Sequence, residues 1–165
     1  MRRWFLNQRR WSRIAETILG GIFLALLFFF FNDVCFGLPS LDGKWTVHGD
    51  VIQSKKWQGY RSDFIVLIQQ SGESVKGSAE KISETDPDGK VLRYDIEKRV
   101  QATFTGYITK KFFGRNRLVV HWDEKGRKMT LEEIQIMKIL NDDHIEGTFA
   151  TTRGEHSGKI TWTKL

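Results

Sequence analysis

Hydrophobic and polar positions change their rhythm once along this chain. From Ile18 to Phe31 every side chain is apolar, the pattern of a helix surrounded by an apolar medium rather than of an amphipathic surface helix. This strictly apolar stretch would rise ~21 Å as a helix, and residues 14–37 would rise ~36 Å, enough to cross a hydrocarbon core of ~30 Å. Glu16 and the Asn32-Asp33 pair then fall near the two interfaces. From Leu38-Pro39-Ser40 onward the period is two. Trp45, Val47, Gly49 and Val51 alternate with Lys44, Thr46, His48 and Asp50, which predicts a strand with one buried face. Phe64 to Ile68 is continuously apolar and reads as a strand buried on both sides, and Val75 to Thr85 as a Ser-rich strand. Val91 to Ile96 follows the turn Asp86-Pro87-Asp88-Gly89. Further strands run through Val100 to Ile108, Leu118 to Trp122, Met129 to Leu140, Ile145 to Thr152 and Ile160 to Thr163, with a bulge expected where the alternation changes phase at Glu132-Glu133.

Eight or nine strands joined by short turns, with no helix after residue 40, predict an all-β domain. A small up-and-down antiparallel barrel of about eight strands behind one N-terminal transmembrane helix is the expected fold, because closure removes the exposed edges of a meander. An open two-sheet sandwich is the alternative. Glycines inside strands, at Gly49, Gly77, Gly106 and Gly147, suit the bends of a narrow barrel. The expected organisation is a basic segment over residues 1–13, a transmembrane helix over 14–37 and a barrel over 38–165.

Composition and charge refine this picture. The chain of 165 residues is 40% hydrophobic and 28% charged, within the range of a folded domain. Its single cysteine excludes an intrachain disulfide framework and a cysteine-based zinc site. Of the net charge of +6, five positive charges come from Arg2, Arg3, Arg9, Arg10 and Arg13 in a segment without acids. The basic excess therefore belongs to the N-terminus and is no stripe for a DNA or RNA polymer. Basic residues before the helix argue for an N-terminus in the cytosol and a barrel on the far side of a bacterial inner membrane. A cleaved secretory signal ending near Gly37 is the other reading of the same segment.

Catalytic motifs are missing: there is no Gly-rich phosphate loop, no His-Glu-x-x-His and no nucleophile elbow. His48, His121, His144 and His156 lie on different elements without metal-ligand spacing. Glu132 and Glu133 are adjacent on a strand and so point to opposite faces, which separates them for acid–base work. No catalytic residue, metal site or cofactor is expected, and the domain reads as a binding module.

Gly43-x-Trp45 at the start of the first strand resembles the opening of lipocalin and avidin barrels, in which the Trp plugs one end of the interior. A longer order of landmarks resembles the transmembrane β-barrel effectors of CBASS, the cyclic-oligonucleotide anti-phage signalling systems. These landmarks are Gly43-Lys44-Trp45, Trp57, Gln69-Gln70, the strand through Ser78, Ser83 and Thr85, Leu92-Arg93-Tyr94, and Gly147 to Arg153 with Gly158-Lys159-Ile160. The resemblance implies a membrane-anchored effector whose barrel binds a cyclic dinucleotide, forms a homo-oligomer on activation and disrupts the lipid bilayer. That family typically has two membrane helices and a cytosolic barrel, whereas one span with a basic N-terminus places this barrel outside. Arg93, Tyr94 and Arg153 are the ligand-binding candidates it offers, Trp45 the barrel plug, and Gly21 with Ala25 a small-residue seam for helix self-association. A signal-anchored periplasmic barrel binding a small apolar or amphipathic ligand is the alternative function, and a structural barrel acting on a membrane partner a third.

Overall fold

The computed structural model describes residues 16–29, 37–111, 114–125, 130–152 and 155–165. Residues up to Gly37 and those from Leu38 on form separate compact units. In the first, residues 16–29 are helical, and the large apolar side chains from Ile18 to Phe29 are exposed around the whole circumference. Among the described residues no helix is long and apolar enough to cross a membrane. The expected transmembrane helix over 14–37 is therefore corrected to a helix over residues 16–29 that is too short, at ~21 Å, to span a bilayer core, with Gly37 outside the helix and residues 14–15 and 30–36 outside the described ones.

Among the described residues the second unit is a meander of nine antiparallel strands: β1 (Gly43–Ser54), β2 (Arg61–Ser71), β3 (Ser74–Thr85), β4 (Val91–Arg93), β5 (Val100–Thr109), β6 (Arg117–Lys125), β7 (Thr130–Asn141), β8 (His144–Thr151) and β9 (His156–Lys164). Strand order is β2-β1-β9-β8-β7-β6-β5-β3-β4, and pairing of β2 with β3 closes eight of the strands into a barrel. Closure leaves no open sandwich edge. The short β4 pairs with the end of β3 beyond the point where β5 takes over that edge. A single 3₁₀ turn, Ile96–Lys98, links β4 to β5, where the sequence predicted strand as far as Ile96.

Alternation builds the core directly. Trp45 and Val47 of β1, Phe64, Val66 and Ile68 of β2 and Trp162 of β9 all point inward. An aromatic cluster fills the middle: Phe104 stacks on Trp122 at 5.6 Å, and Phe64 meets Trp122 edge-on at 5.2 Å. Trp162 meets both Phe104 and Trp122 edge-on. Two expectations are corrected here. β2 is buried on one face only, since Leu67 is half exposed on the outside. The bulge expected at Glu132-Glu133 is absent: the β6–β7 register runs unbroken, and β7 shifts only against β8, between Ile139 and Asn141. The strand glycines act through close approach. A Cβ on Gly77 would collide with the Leu67 carbonyl and the Phe104 ring, and one on Gly147 with the Ile136 carbonyl, whereas Gly49 has room for one.

Candidate functional site

The same alternation that points apolar side chains inward delivers polar ones to a single end of the barrel. On β3, Val75, Ala79, Lys81 and Ser83 share the inner face. On β6, Leu118, Val120 and Trp122 are followed inward by Glu124, and on β7 the inner row is Glu133, Gln135, Met137 and Ile139. The ends of β3, β6 and β8 and the starts of β7 and β9 therefore converge on Lys81, Glu124, Glu133, Thr151 and His156.

Lys81 sits at the centre of this cluster. Its Nζ donates to Glu84 Oε1 at 2.8 Å and to Glu124 Oε1 at 2.6 Å, and it lies 5.3 Å from the Phe64 ring centroid. Burial alone would lower its pKa, but the two carboxylates outweigh burial and hold it above the ordinary lysine value. Burial opposes ionisation of Glu84 too, and Lys81 overrides it, keeping that carboxyl below the usual range. The Tyr94 hydroxyl donates to Glu84 Oε2 at 2.8 Å. Burial, followed by that bond to a carboxylate, pushes the Tyr94 phenol up to about 12.

Glu133 is the least compensated member. Burial pushes its pKa up to about 7; the Gln135 amide, donating at 2.6 Å, works against this, and the Glu124 carboxylate adds to it. Gln135 is fully buried and its Oε1 has no hydrogen-bond partner among the described residues. An orphaned buried acceptor costs roughly 1–3 kcal/mol. Beside it lies a cavity of about 70 Å³, lined by Gln135, Glu133, Glu124 and Lys81 on the polar side and by Phe64 and Trp122 on the aromatic side. Half-buried Ser62, Leu131 and His156 also line it, and His156 Nδ1 is bonded to Ser54 Oγ at 3.2 Å. Larger depressions of about 530 Å³ lie over Ile136, Thr148 and Lys159 on the outer face, where the polar lining side chains are exposed or half-buried.

The residues singled out in the sequence are scattered by the fold. Tyr94 reaches the cluster through Glu84. Its neighbour Arg93 is exposed on β4, and Arg153 lies outside the described residues. Trp45 is fully buried near the opposite end, where its Nε1 donates to the Leu41 carbonyl at 2.9 Å. Gly21 and Ala25 share a face of the helix over residues 16–29, with open space around Gly21. Lys81, Glu124 and Gln135 were missed and Glu133 was set aside as half of an acid pair, although their phase along β3, β6 and β7 was available as a signal. Among the described residues no group of His, Cys, Asp and Glu could hold a metal ion.

No protein-family model matches the chain, and no curated protein does. Two solved barrels share its fold. One is a redesigned β barrel, mFAP1, bound to DFHBI; it is 12% identical, with a TM-score of 0.52, over 76% of this chain and 94% of the other. The second is EF1p2_mFAP2b bound to DFHBI, 10% identical with a TM-score of 0.51 over the same shares. At these identities the likeness is one of fold.

Proposed function

We propose that the chain is a membrane-anchored barrel that binds a small ligand at its polar end and performs no catalysis. The observation carrying this reading is the cavity at that end, where the packed core gives way to buried polar groups and Gln135 Oε1 lacks a partner. Small barrels use their mouths in this way, and both similar barrels were solved with DFHBI bound. The anchor rests on the helix over residues 16–29, whose apolar side chains are exposed all round. Such a helix is stable when lipid or other helices cover it, so we place the protein in a bacterial inner membrane.

The effector reading makes the ligand a cyclic dinucleotide and the output a homo-oligomer formed through Gly21 and Ala25. Its support is the order of sequence landmarks. The charge of the mouth weighs against it, because two phosphates would face Glu124 and Glu133 while Lys81 is already held by two carboxylates. The small amphipathic ligand is therefore the leading reading.

Thermal unfolding of the full chain in detergent with a panel of cyclic dinucleotides, fatty acids and short amphiphiles separates the two. A ligand at 100 times its Kd should add about 2.7 kcal/mol of stability. Stabilisation by cyclic dinucleotides alone would put the effector reading first, and a silent panel would remove ligand binding altogether. Protease protection of a C-terminal tag in spheroplasts fixes the side of the barrel: an accessible tag fits the periplasmic reading, a protected one the effector.

A further inference from the structure

Among the described residues, the buried side-chain atom left without a partner at the cavity wall is an acceptor. Gln135 Oε1 is buried and unpartnered, and Glu133 receives a bond from the Gln135 amide through Oε1. Lys81, the cation at the cavity wall, is engaged by Glu84 and Glu124. The remaining wall is aromatic, from Phe64 and Trp122. Spare acceptors, excess carboxylate and aromatic faces are together the chemistry that recognises an ammonium group. A volume of about 70 Å³ suits a primary ammonium head and is tight for a quaternary one, which moreover has no N–H to donate to a carbonyl.

We propose that this cavity binds the primary ammonium group of a small amine, with Gln135 Oε1 and the Glu133 carboxylate accepting its N–H bonds. This deepens the small-ligand reading and rests on it. An amine drawn in by Glu133 should bind better as that carboxyl ionises, so affinity rises with pH through about 7. The charged and titratable groups around Glu133 are Lys81 of β3, Glu124 of β6 and His156 of β9, with Glu84 and Tyr94 behind Lys81. Titration of Glu133 against the Lys81, Glu84 and Glu124 set gives the site its pH dependence.

Isothermal titration of the full chain in detergent with n-butylammonium, n-butyltrimethylammonium and n-butanol at pH 6 and pH 8 tests this. The expected result is binding of n-butylammonium alone, roughly tenfold tighter at pH 8 than at pH 6. Glu133→Gln should erase the pH difference and Gln135→Met should abolish binding, both with an unchanged β-sheet circular dichroism spectrum. Should either variant unfold, the pH ratio and the three-probe selectivity in the parent chain decide alone. Equal binding of the quaternary amine or the alcohol would overturn ammonium recognition. Silence of all three probes while another member of the thermal-shift panel binds would overturn this inference and leave the ligand-binding barrel standing. Silence in both assays would remove both.

Discussion

The two ends of the barrel are built from the same strands and treat polar groups in opposite ways. Near Trp45, the interior is apolar: Leu41, Ile108, Leu118, Ile139 and Ile145 are buried there. Trp162 Nε1, on the strand position opposite Ile145, has no partner among the described residues, but the glutamine serving that end is fully used. Gln70 accepts from the Leu41 amide at 2.7 Å and donates to the carbonyls of Pro39 at 3.0 Å and Gly72 at 3.1 Å, which fastens the incoming chain over the barrel. Lys164 donates to the Ser40 carbonyl while lying over the Trp45 ring. At the other end Gln135 uses its amide nitrogen and leaves its oxygen unpaired. One glutamine closes a seal, and the other stands at an incomplete network. Buried polar groups specify structure when every member is satisfied and cost stability when one is not. The first end holds its glutamine in a complete set of bonds, and the second retains the cost of an unpaired Gln135 Oε1.

The sharpest way to break this contrast is to open the sealed end. Trp45→Ala deletes a fully buried indole and its bond to the Leu41 carbonyl, and should cost about 4 kcal/mol. Chemical denaturation of the parent and the variant measures it. A loss below ~1 kcal/mol would mean that this end is loosely packed and that the two ends differ less than their geometry says.

Next in size is the cation of the polar end. Lys81→Met leaves Glu84 and Glu124 facing each other in a buried setting and should cost about 3 kcal/mol near neutrality. The cost should shrink as pH falls, because Glu84, no longer held ionised by Lys81, takes up a proton more readily. Adding Glu124→Gln should restore part of the loss, since one uncompensated charge goes with it. Two substitutions that simply add would show that Lys81 and Glu124 are uncoupled.

Much of the barrel was legible in the sequence, because a strand's inner face follows from the period of two. The strand count and the inward direction of Trp45 and Val47 rest on that period, and the turns on residues such as Asp86-Pro87-Asp88-Gly89. The site was hidden by exceptions to the rule that inner positions are apolar. On β7, Ile134 and Ile136 face outward, the latter half exposed, while Glu133 and Gln135 face inward. Apolar residues on both faces made the alternation look as if it changed phase, which suggested a bulge in place of a buried carboxylate. Lys81 was hidden likewise in a polar, Ser-rich strand. Closure of β2 onto β3 and convergence of five strand ends on one polar cluster are tertiary events with no local signature. Landmarks such as Arg93 and Tyr94 were visible as chemistry, but only Tyr94 is turned toward the cluster.

Glu133 sharpens the comparison through pH. Its folded pKa, about 7, stands above the value of an unfolded carboxyl. Between the two values the folded state holds more protons, so stability falls as pH rises from about 4.5 to about 7 and levels off above. Glu133→Gln removes that penalty and should stabilise the protein by up to about 3 kcal/mol at pH 8, with little change at pH 4. Thermal melts across this range show the slope in the parent and its loss in the variant. An unchanged slope would assign the titration to another group.

The smallest expected effect concerns the residue that both the sequence landmarks and the fold bring to the site. Tyr94 donates its hydroxyl to the Glu84 oxygen that Lys81 does not take, so Glu84 is shared between a cation and a phenol. Tyr94→Phe keeps the ring and deletes one hydrogen bond to a partly exposed carboxylate, which should cost about 1 kcal/mol at pH 7. The loss should fade at low pH as Glu84 becomes protonated, because the bond is strongest to the ionised acceptor. Glu84→Gln in the same background separates the two roles. If Tyr94 acts through Glu84, the two substitutions together cost less than the sum of each alone. Full additivity would place Tyr94 outside the Lys81 network, and the polar end would then be a three-member arrangement of Lys81, Glu84 and Glu124 with Glu133 beside it.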